Sequence, residues 1–112
     1  MIDGIYIAYF NAEFGTSLGM FVLKDGKIVG ADIGGTKYQG ELSISNDEVT
    51  AFGKINVSMD KPGMTITGSN NELPVSYDTN VEFCLPIEDQ PYHRVDTATG
   101  PVNIRFEKVQ ET

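Results

Sequence analysis

The chain has a single cysteine, a single histidine and no tryptophan, and each scarcity removes a class of function. Cys84 has no partner for an internal disulfide, and one cysteine with one histidine cannot supply a zinc ligand set. A thiol nucleophile needs a base within hydrogen-bond reach, and His93 follows Cys84 in a segment with no motif joining them. Both are read as structural residues, because nothing in the sequence activates the thiol. The acids Asp25, Asp47, Glu48, Glu88 and Asp89 lack the regular spacing of a calcium loop, so no metal and no cofactor is expected. Gly30, Gly34 and Gly35 do not form a phosphate cradle, since Lys37-Tyr38-Gln39-Gly40 continues as strand where that mechanism needs a helix N-terminus. With no constellation that carries chemistry, the chain is expected not to be an enzyme.

Basic side chains are also scarce, at 8 against 16 acidic ones, which gives a formal charge of −8. The basic residues come no closer than two isolated pairs, Lys24 with Lys27 and Arg105 with Lys108, so the sequence offers no basic patch to hold a phosphate backbone or an anionic membrane. Direct nucleic-acid binding and membrane insertion are therefore not expected. No apolar run approaches the roughly 18 to 20 residues that span a bilayer. The start, Met1-Ile2-Asp3-Gly4, lacks the basic and apolar regions of a signal peptide, so cytoplasmic residence is expected. In that compartment the Asn56-Val57-Ser58 sequon has no meaning.

What the sequence does contain is strand signal. A hydrophobic content of 40% in 112 residues suits one globular domain spanning 1–112, and 12 glycines with 5 prolines, scattered along the chain, suit many tight turns. Met20 to Leu23 and Ile28 to Ile33 flank Asp25-Gly26, the pair that favours a type I′ hairpin turn. Gly34-Gly35 reverses the chain again before a strand from Tyr38 to Ile44. Before them, Ile5 to Phe10 is apolar on both faces, with Ile5, Ile7 and Tyr9 opposite Tyr6, Ala8 and Phe10. One of those faces needs a further cover, and association of two copies into a homodimer is expected.

Val49 to Met59 alternates with period two, broken only by Phe52. Lys61-Pro62-Gly63 predicts a turn, Met64 to Gly68 a strand, Ser69-Asn70-Asn71 a reversal, and Leu73 to Tyr77 a short strand near an edge. Asp78-Thr79-Asn80 predicts another turn before Val81, Phe83 and Leu85. Glu88 to Pro101 shows no period and reads as a loop, and Val102, Ile104 and Phe106 close the pattern. Eight or nine short strands in this order predict an all-β, eight-stranded antiparallel up-and-down barrel.

A barrel of eight strands is filled by its own side chains or holds one small ligand. Its inward candidates are Leu42, Ile55, Val57, Met64, Ile66, Phe83, Leu85, Ile104 and Phe106. The other candidate site is the connection Asn46-Asp47-Glu48, as an exposed contact for a protein partner.

The order Asp3-Gly4-Ile5-Tyr6, Gly15 and Gly19, Asp25-Gly26-Lys27-Ile28-Val29-Gly30-Ala31-Asp32 and Tyr38-Gln39-Gly40-Glu41-Leu42 resembles the opening of the GrlR family. These are small bacterial proteins named for a negative regulator of type III secretion genes. The resemblance implies a lipocalin-like (calycin-like) barrel with an apolar cavity, dimerisation, and repression by binding a transcriptional activator. The family's type member carries four consecutive acids after the strand corresponding to Tyr38–Ser43, where this chain reads Ser45-Asn46-Asp47-Glu48. Only Asp47 and Glu48 keep that acidic character. The expected function is thus a non-enzymatic regulator acting on a basic activator, and the alternative is a carrier or sensor of a small apolar ligand, such as a lipid, inside the barrel.

Overall fold

The computed structural model describes residues 2–13, 15–59, 63–64, 70–71, 75–98 and 100–112. Strand β1 (Gly4–Ala12) leads to β2 (Gly15–Lys24), β3 (Lys27–Asp32), β4 (Lys37–Ile44) and β5 (Thr50–Met59). Two short strands, β6 (Gly63–Met64) and β7 (Asn70–Asn71), pair with each other outside the main sheet. Then follow β8 (Val75–Cys84), a single 3₁₀ turn (Ile87–Asp89), β9 (His93–Thr97) and β10 (Gly100–Gln110).

The local chemistry accounts for the meander. Asp25 and Gly26 both take positive φ, 53° and 79°, which is the backbone twist that a two-residue type I′ turn imposes on its strands. At the next reversal Asp32 does the work of a cap: its Oδ1 accepts from the Gly34 N–H at 2.9 Å and the Thr36 N–H at 3.1 Å. Those amides would otherwise point unpaired into the turn. Gly30 sits opposite Phe21 in the ladder, and a Cβ there would run into the Phe21 ring. The missing side chain is what lets that ring lie flat against β3.

The strands form one eight-stranded antiparallel sheet in the order β8-β5-β4-β3-β2-β1-β10-β9. β1 pairs with both β2 and β10 and so joins the two ends of the chain within the sheet, and the twisted sheet rolls until its two edges, β8 and β9, come together. No ladder joins them, but the Thr79 hydroxyl on β8 donates to the Asp96 carbonyl on β9 at 3.1 Å. The result is an up-and-down barrel, nearly closed, with one seam, consistent with a lipocalin-like barrel. Rolling brings the two free edges of the eight-stranded sheet together at this seam.

Alternation along each strand then sends one set of side chains inward. Tyr6, Ala8 and Phe10 of β1, Phe21 and Leu23 of β2, Ile28 of β3, Ile55 and Val57 of β5, Val81 and Phe83 of β8, and Val102, Ile104 and Phe106 of β10 are buried together. Phe106 is the hub: its ring meets Tyr6, Phe21, Phe83 and His93 at centroid distances of 6.1, 6.1, 5.5 and 5.7 Å. These are mostly edge-to-face arrangements, the geometry that suits the ring quadrupole.

Three sequence expectations are corrected. Asp78-Thr79-Asn80 does not turn; it lies within continuous β8, paired with Lys54, Ile55 and Asn56. Its polar side chains find cross-strand partners, since Asn56 Nδ2 donates to Asp78 Oδ1 at 3.0 Å and Thr79 bridges the seam. Glu88 to Pro101 is not a loop: it holds the 3₁₀ turn, all of β9 and the start of β10. Its inward side chains, His93 and Val95, are too few to show a period by themselves. Asn70 and Asn71, expected at a reversal, pair with Met64 and Gly63 instead. The turn at Lys61-Pro62, Thr65 to Ser69, and Leu73-Pro74 lie outside the described residues.

Candidate ligand cavity and acidic barrel end

One end of the barrel gathers the β2–β3 turn, the β4–β5 turn, the β8–β9 connection and both termini. Within the β4–β5 turn the predicted contact residues Asn46, Asp47 and Glu48 are all exposed. The turn is stiff rather than loose. Asp47 Oδ1 accepts from the Ser45 hydroxyl at 2.6 Å and from the Val49 N–H at 3.3 Å, while Ser45 Oγ accepts from the Thr50 N–H at 3.1 Å. Glu48 takes φ 60° to complete it. The Ser45 hydrogen bond, then the Val49 amide, hold the Asp47 carboxyl below its ordinary range, so Asp47 is both anchor and charge.

Glu48 also borders an open groove of about 480 Å³ across this end, floored by Ile2, Ile44, Leu85, Pro86 and Ile87 and edged by Glu88, Lys108 and Glu111. Leu85, expected inside the barrel, is half-buried on that floor. Lys108 is held by Glu111 at 2.7 Å and lies 4.0 Å from Glu88.

The interior contains a second space, a cavity of about 80 Å³. Of the predicted inward residues, Ile55, Val57, Phe83, Ile104 and Phe106 line it. Leu42 is buried in the core away from the cavity wall. Met64 belongs to β6, where only the backbone is described, and Ile66 lies outside the described residues. Sequence reasoning missed the aromatic wall of Phe10, Phe21 and Tyr38, and it missed the polar end. Asp32, Thr36, Ser58, Tyr77, Thr79 and Thr97 all border the cavity. Period two on β1 and β2 was the available signal for Phe10 and Phe21; the polar residues carry none, because polar side chains beside turns usually face water.

At that polar end the Tyr38 hydroxyl donates to Asp32 Oδ2 at 2.8 Å, and its ring stacks on Phe10 with centroids 5.8 Å apart and planes 12° from parallel. Burial first, and the Asp32 charge second, push the Tyr38 phenol well above its ordinary value. It stays a donor at any physiological pH.

His93 and Cys84 are not brought together as a catalytic pair. His93 is buried, its Nε2 lies 3.0 Å from the Ile87 carbonyl, and its ring packs edge-on against Phe83 at 5.1 Å. Burial lowers its pKa, partly offset by the Ile87 hydrogen bond. Cys84 is exposed on the outside of β8. Among the described residues no group of histidine, cysteine or carboxylate side chains is arranged to hold a metal, and no helix is long and apolar enough to cross a membrane.

No family model, curated protein or solved structure matches this chain.

Proposed function

We propose that the protein is a non-enzymatic regulator that binds a protein partner at the acidic end of its barrel, in the manner its resemblance to the GrlR family implies. The observation that supports this is the groove beside Glu48. Its floor is aliphatic and its edges carry Glu48, Glu88 and Glu111, with Lys108 as the basic member. Asp47 stands next to it on a turn fixed by its own hydrogen bonds. Glu111 and Glu88 face Lys108 at 2.7 and 4.0 Å, which leaves Glu48 and the neighbouring Asp47 as the carboxylates beside the apolar residues. That pairing suits a segment that presents lysine or arginine beside aliphatic side chains, as the DNA-binding face of a transcriptional activator does. The excess of acid over the whole chain steers such a partner and repels nucleic acid. Repression then consists of occupying the activator's DNA-binding face.

The test is capture of a basic activator encoded beside this chain's gene, with Asp47→Lys and Glu48→Lys made together. Binding should weaken by tenfold or more and lose much of its salt dependence. Equal capture by wild type and the double variant would overturn the proposal.

We propose self-association as part of the same reading, supported by an apolar outer face. Outside the barrel, Ile5 and Ile7 on β1 pair across the ladder with Val22 and Met20, and Val22 in turn with Val29 on β3. Met20 is 54% exposed and Val29 56%. Glu107 on β10 pairs with Ile7 and accepts from the Tyr9 hydroxyl, so the carboxylate stands at the margin of this patch and two acidic molecules can meet on its apolar part as a homodimer.

The interior cavity favours a second reading, a carrier or sensor of a small molecule. At about 80 Å³ it is roughly half of the ~150 Å³ that holds benzene in an engineered core. A complete lipid chain would need it to enlarge; a short apolar tail would not.

A further inference from the structure

Resting on that second reading, we infer that the barrel binds a short-chain organic cation, a primary ammonium carried on a small apolar tail, with the ammonium at Asp32 and the tail among the interior rings. The inference comes from how charge is distributed along the cavity wall. The deep part is apolar: Phe21, Ile28, Ile55, Phe83 and Phe106. Charge enters at one point, the half-buried carboxylate of Asp32. Among the described residues that line the cavity there is no lysine, arginine or histidine.

Asp32 is held in place on three sides. Oδ1 accepts the Gly34 and Thr36 amides at 2.9 and 3.1 Å, and Oδ2 accepts the Tyr38 hydroxyl at 2.8 Å. A carboxylate has about four acceptor positions, so one remains on Oδ2, the oxygen that shares Tyr38 with the cavity. An ammonium placed there makes a charge-assisted hydrogen bond, roughly twice as strong as a neutral one. It also lies beside the stacked Phe10 and Tyr38 rings, which supply the apolar wall next to the head group. A carboxylate-headed ligand, by contrast, would meet Asp32 with like charge and find no cation on the wall to pair with.

By comparison with the benzene-sized case the interior takes about three carbons, which with the carbon bonded to the ammonium at Asp32 makes a tail of about four. The probes are therefore n-butylammonium, butan-1-ol and butanoate, which share a tail and differ in head group, titrated into the full chain and followed by amide and methyl NMR. Butylammonium should give saturable shifts at the Gly34 and Thr36 amides and at Ile55 and Val81, and should bind roughly tenfold tighter than butanol. Butanoate should bind weakest. Asp32→Asn should bring butylammonium down to the affinity of butanol and leave butanol within about twofold. The head-group series on wild type stands whether or not that variant folds. Ile55→Phe, which fills the space, should abolish shifts from all three. Saturable binding with butanoate or butanol equal to or tighter than butylammonium overturns the cation assignment while the small-molecule reading stands. No saturable shift from any probe overturns both.

Discussion

The Tyr38 hydroxyl donates to Asp32 Oδ2 across the turn that joins β3 to β4, at 2.8 Å, and so the residue that caps the turn also fixes a ring of the cavity wall. Deleting only that hydroxyl, Tyr38→Phe, leaves the Phe10 stack and removes one bond to a charged acceptor. We expect a loss of roughly 1.5–3 kcal/mol in urea unfolding, the range for hydrogen bonds to charged groups. The raised phenol pKa adds a sign. A group whose folded pKa lies above its unfolded value, 10.0 here, keeps its stabilisation below that pH and loses it as pH rises through the folded value. Wild type should therefore lose stability above pH ~10 in a way Tyr38→Phe does not. Indistinguishable unfolding curves at pH 7 would show that the hydroxyl is better served by water.

His93 gives the opposite sign. Burial holds its pKa below the ordinary 6.5, so the unfolded chain takes up a proton first as pH falls. The stability that neutral His93 contributes is complete above about pH 6.5 and is lost as pH falls through the lowered folded value. Denaturation midpoints measured from pH 7.5 to 5 should decline in wild type and decline less in His93→Gln, which cannot charge. The same slope in both proteins would assign the loss to other groups.

Phe106 touches four rings at once. Phe106→Ala removes a fully packed ring whose neighbours come from β1, β2, β8 and β9, so collapse into the space is restricted. The cost should be about 3–5 kcal/mol, a large share of the roughly 5–15 kcal/mol that holds a small domain folded. Chemical denaturation showing a loss below about 1 kcal/mol would mean that the barrel closes without its aromatic centre.

How far the sequence carried these conclusions depends on which signal each residue bears. Asp25-Gly26 specifies its own backbone angles, and period two on β5 and β10 specifies which side chains face inward, so the hairpins and most of the inner set were legible. Asp78-Thr79-Asn80 misled because turn-forming side chains are also good cross-strand partners. Asn56 and the Asp96 carbonyl satisfy them, and those residues lie 17 or more positions away in the chain. β9 was hidden for a similar reason: it contributes only His93 and Val95 to the interior, and its pairing with β10 supplies the rest. In the cavity, Ile55 and Phe83 could be named from alternation. Asp32 could not, since a carboxylate after a strand reads as a turn cap, and its second face appears only when β4 brings Tyr38 beside it.

Gly30 tests whether close approach, rather than turn geometry, is what that glycine supplies. A Cβ there would strike the Phe21 ring and stand 2.5 Å from the Met20 carbonyl oxygen. Gly30→Ala should cost about 1–3 kcal/mol through overpacking, and Phe21→Leu in the same chain should recover part of it, because the ring is half of the clash. Additive losses in the double variant would show that the two positions do not compete for the same space.

The outer face of β1, β2 and β3 makes the last prediction, and its logic is that exposure without purpose is costly. Ile5, Ile7, Met20, Val22 and Val29 lie across three adjacent strands on the side away from the core, while the Arg105 guanidinium covers the neighbouring Tyr9 ring at 4.1 Å. The apolar part therefore has a polar margin on the β10 side, as an interface core does. Met20→Glu with Val22→Glu places two carboxylates of each copy at the centre of the contact. Neither side chain is buried within the molecule, so unfolding of the isolated chain should shift by less than about 0.5 kcal/mol. Sedimentation velocity at tens of micromolar should show dimer for wild type and monomer for the variant, since like charges placed directly opposite at an interface cost several kcal/mol. A monomeric wild type, or a variant that stays dimeric, would show that two copies do not meet on this face.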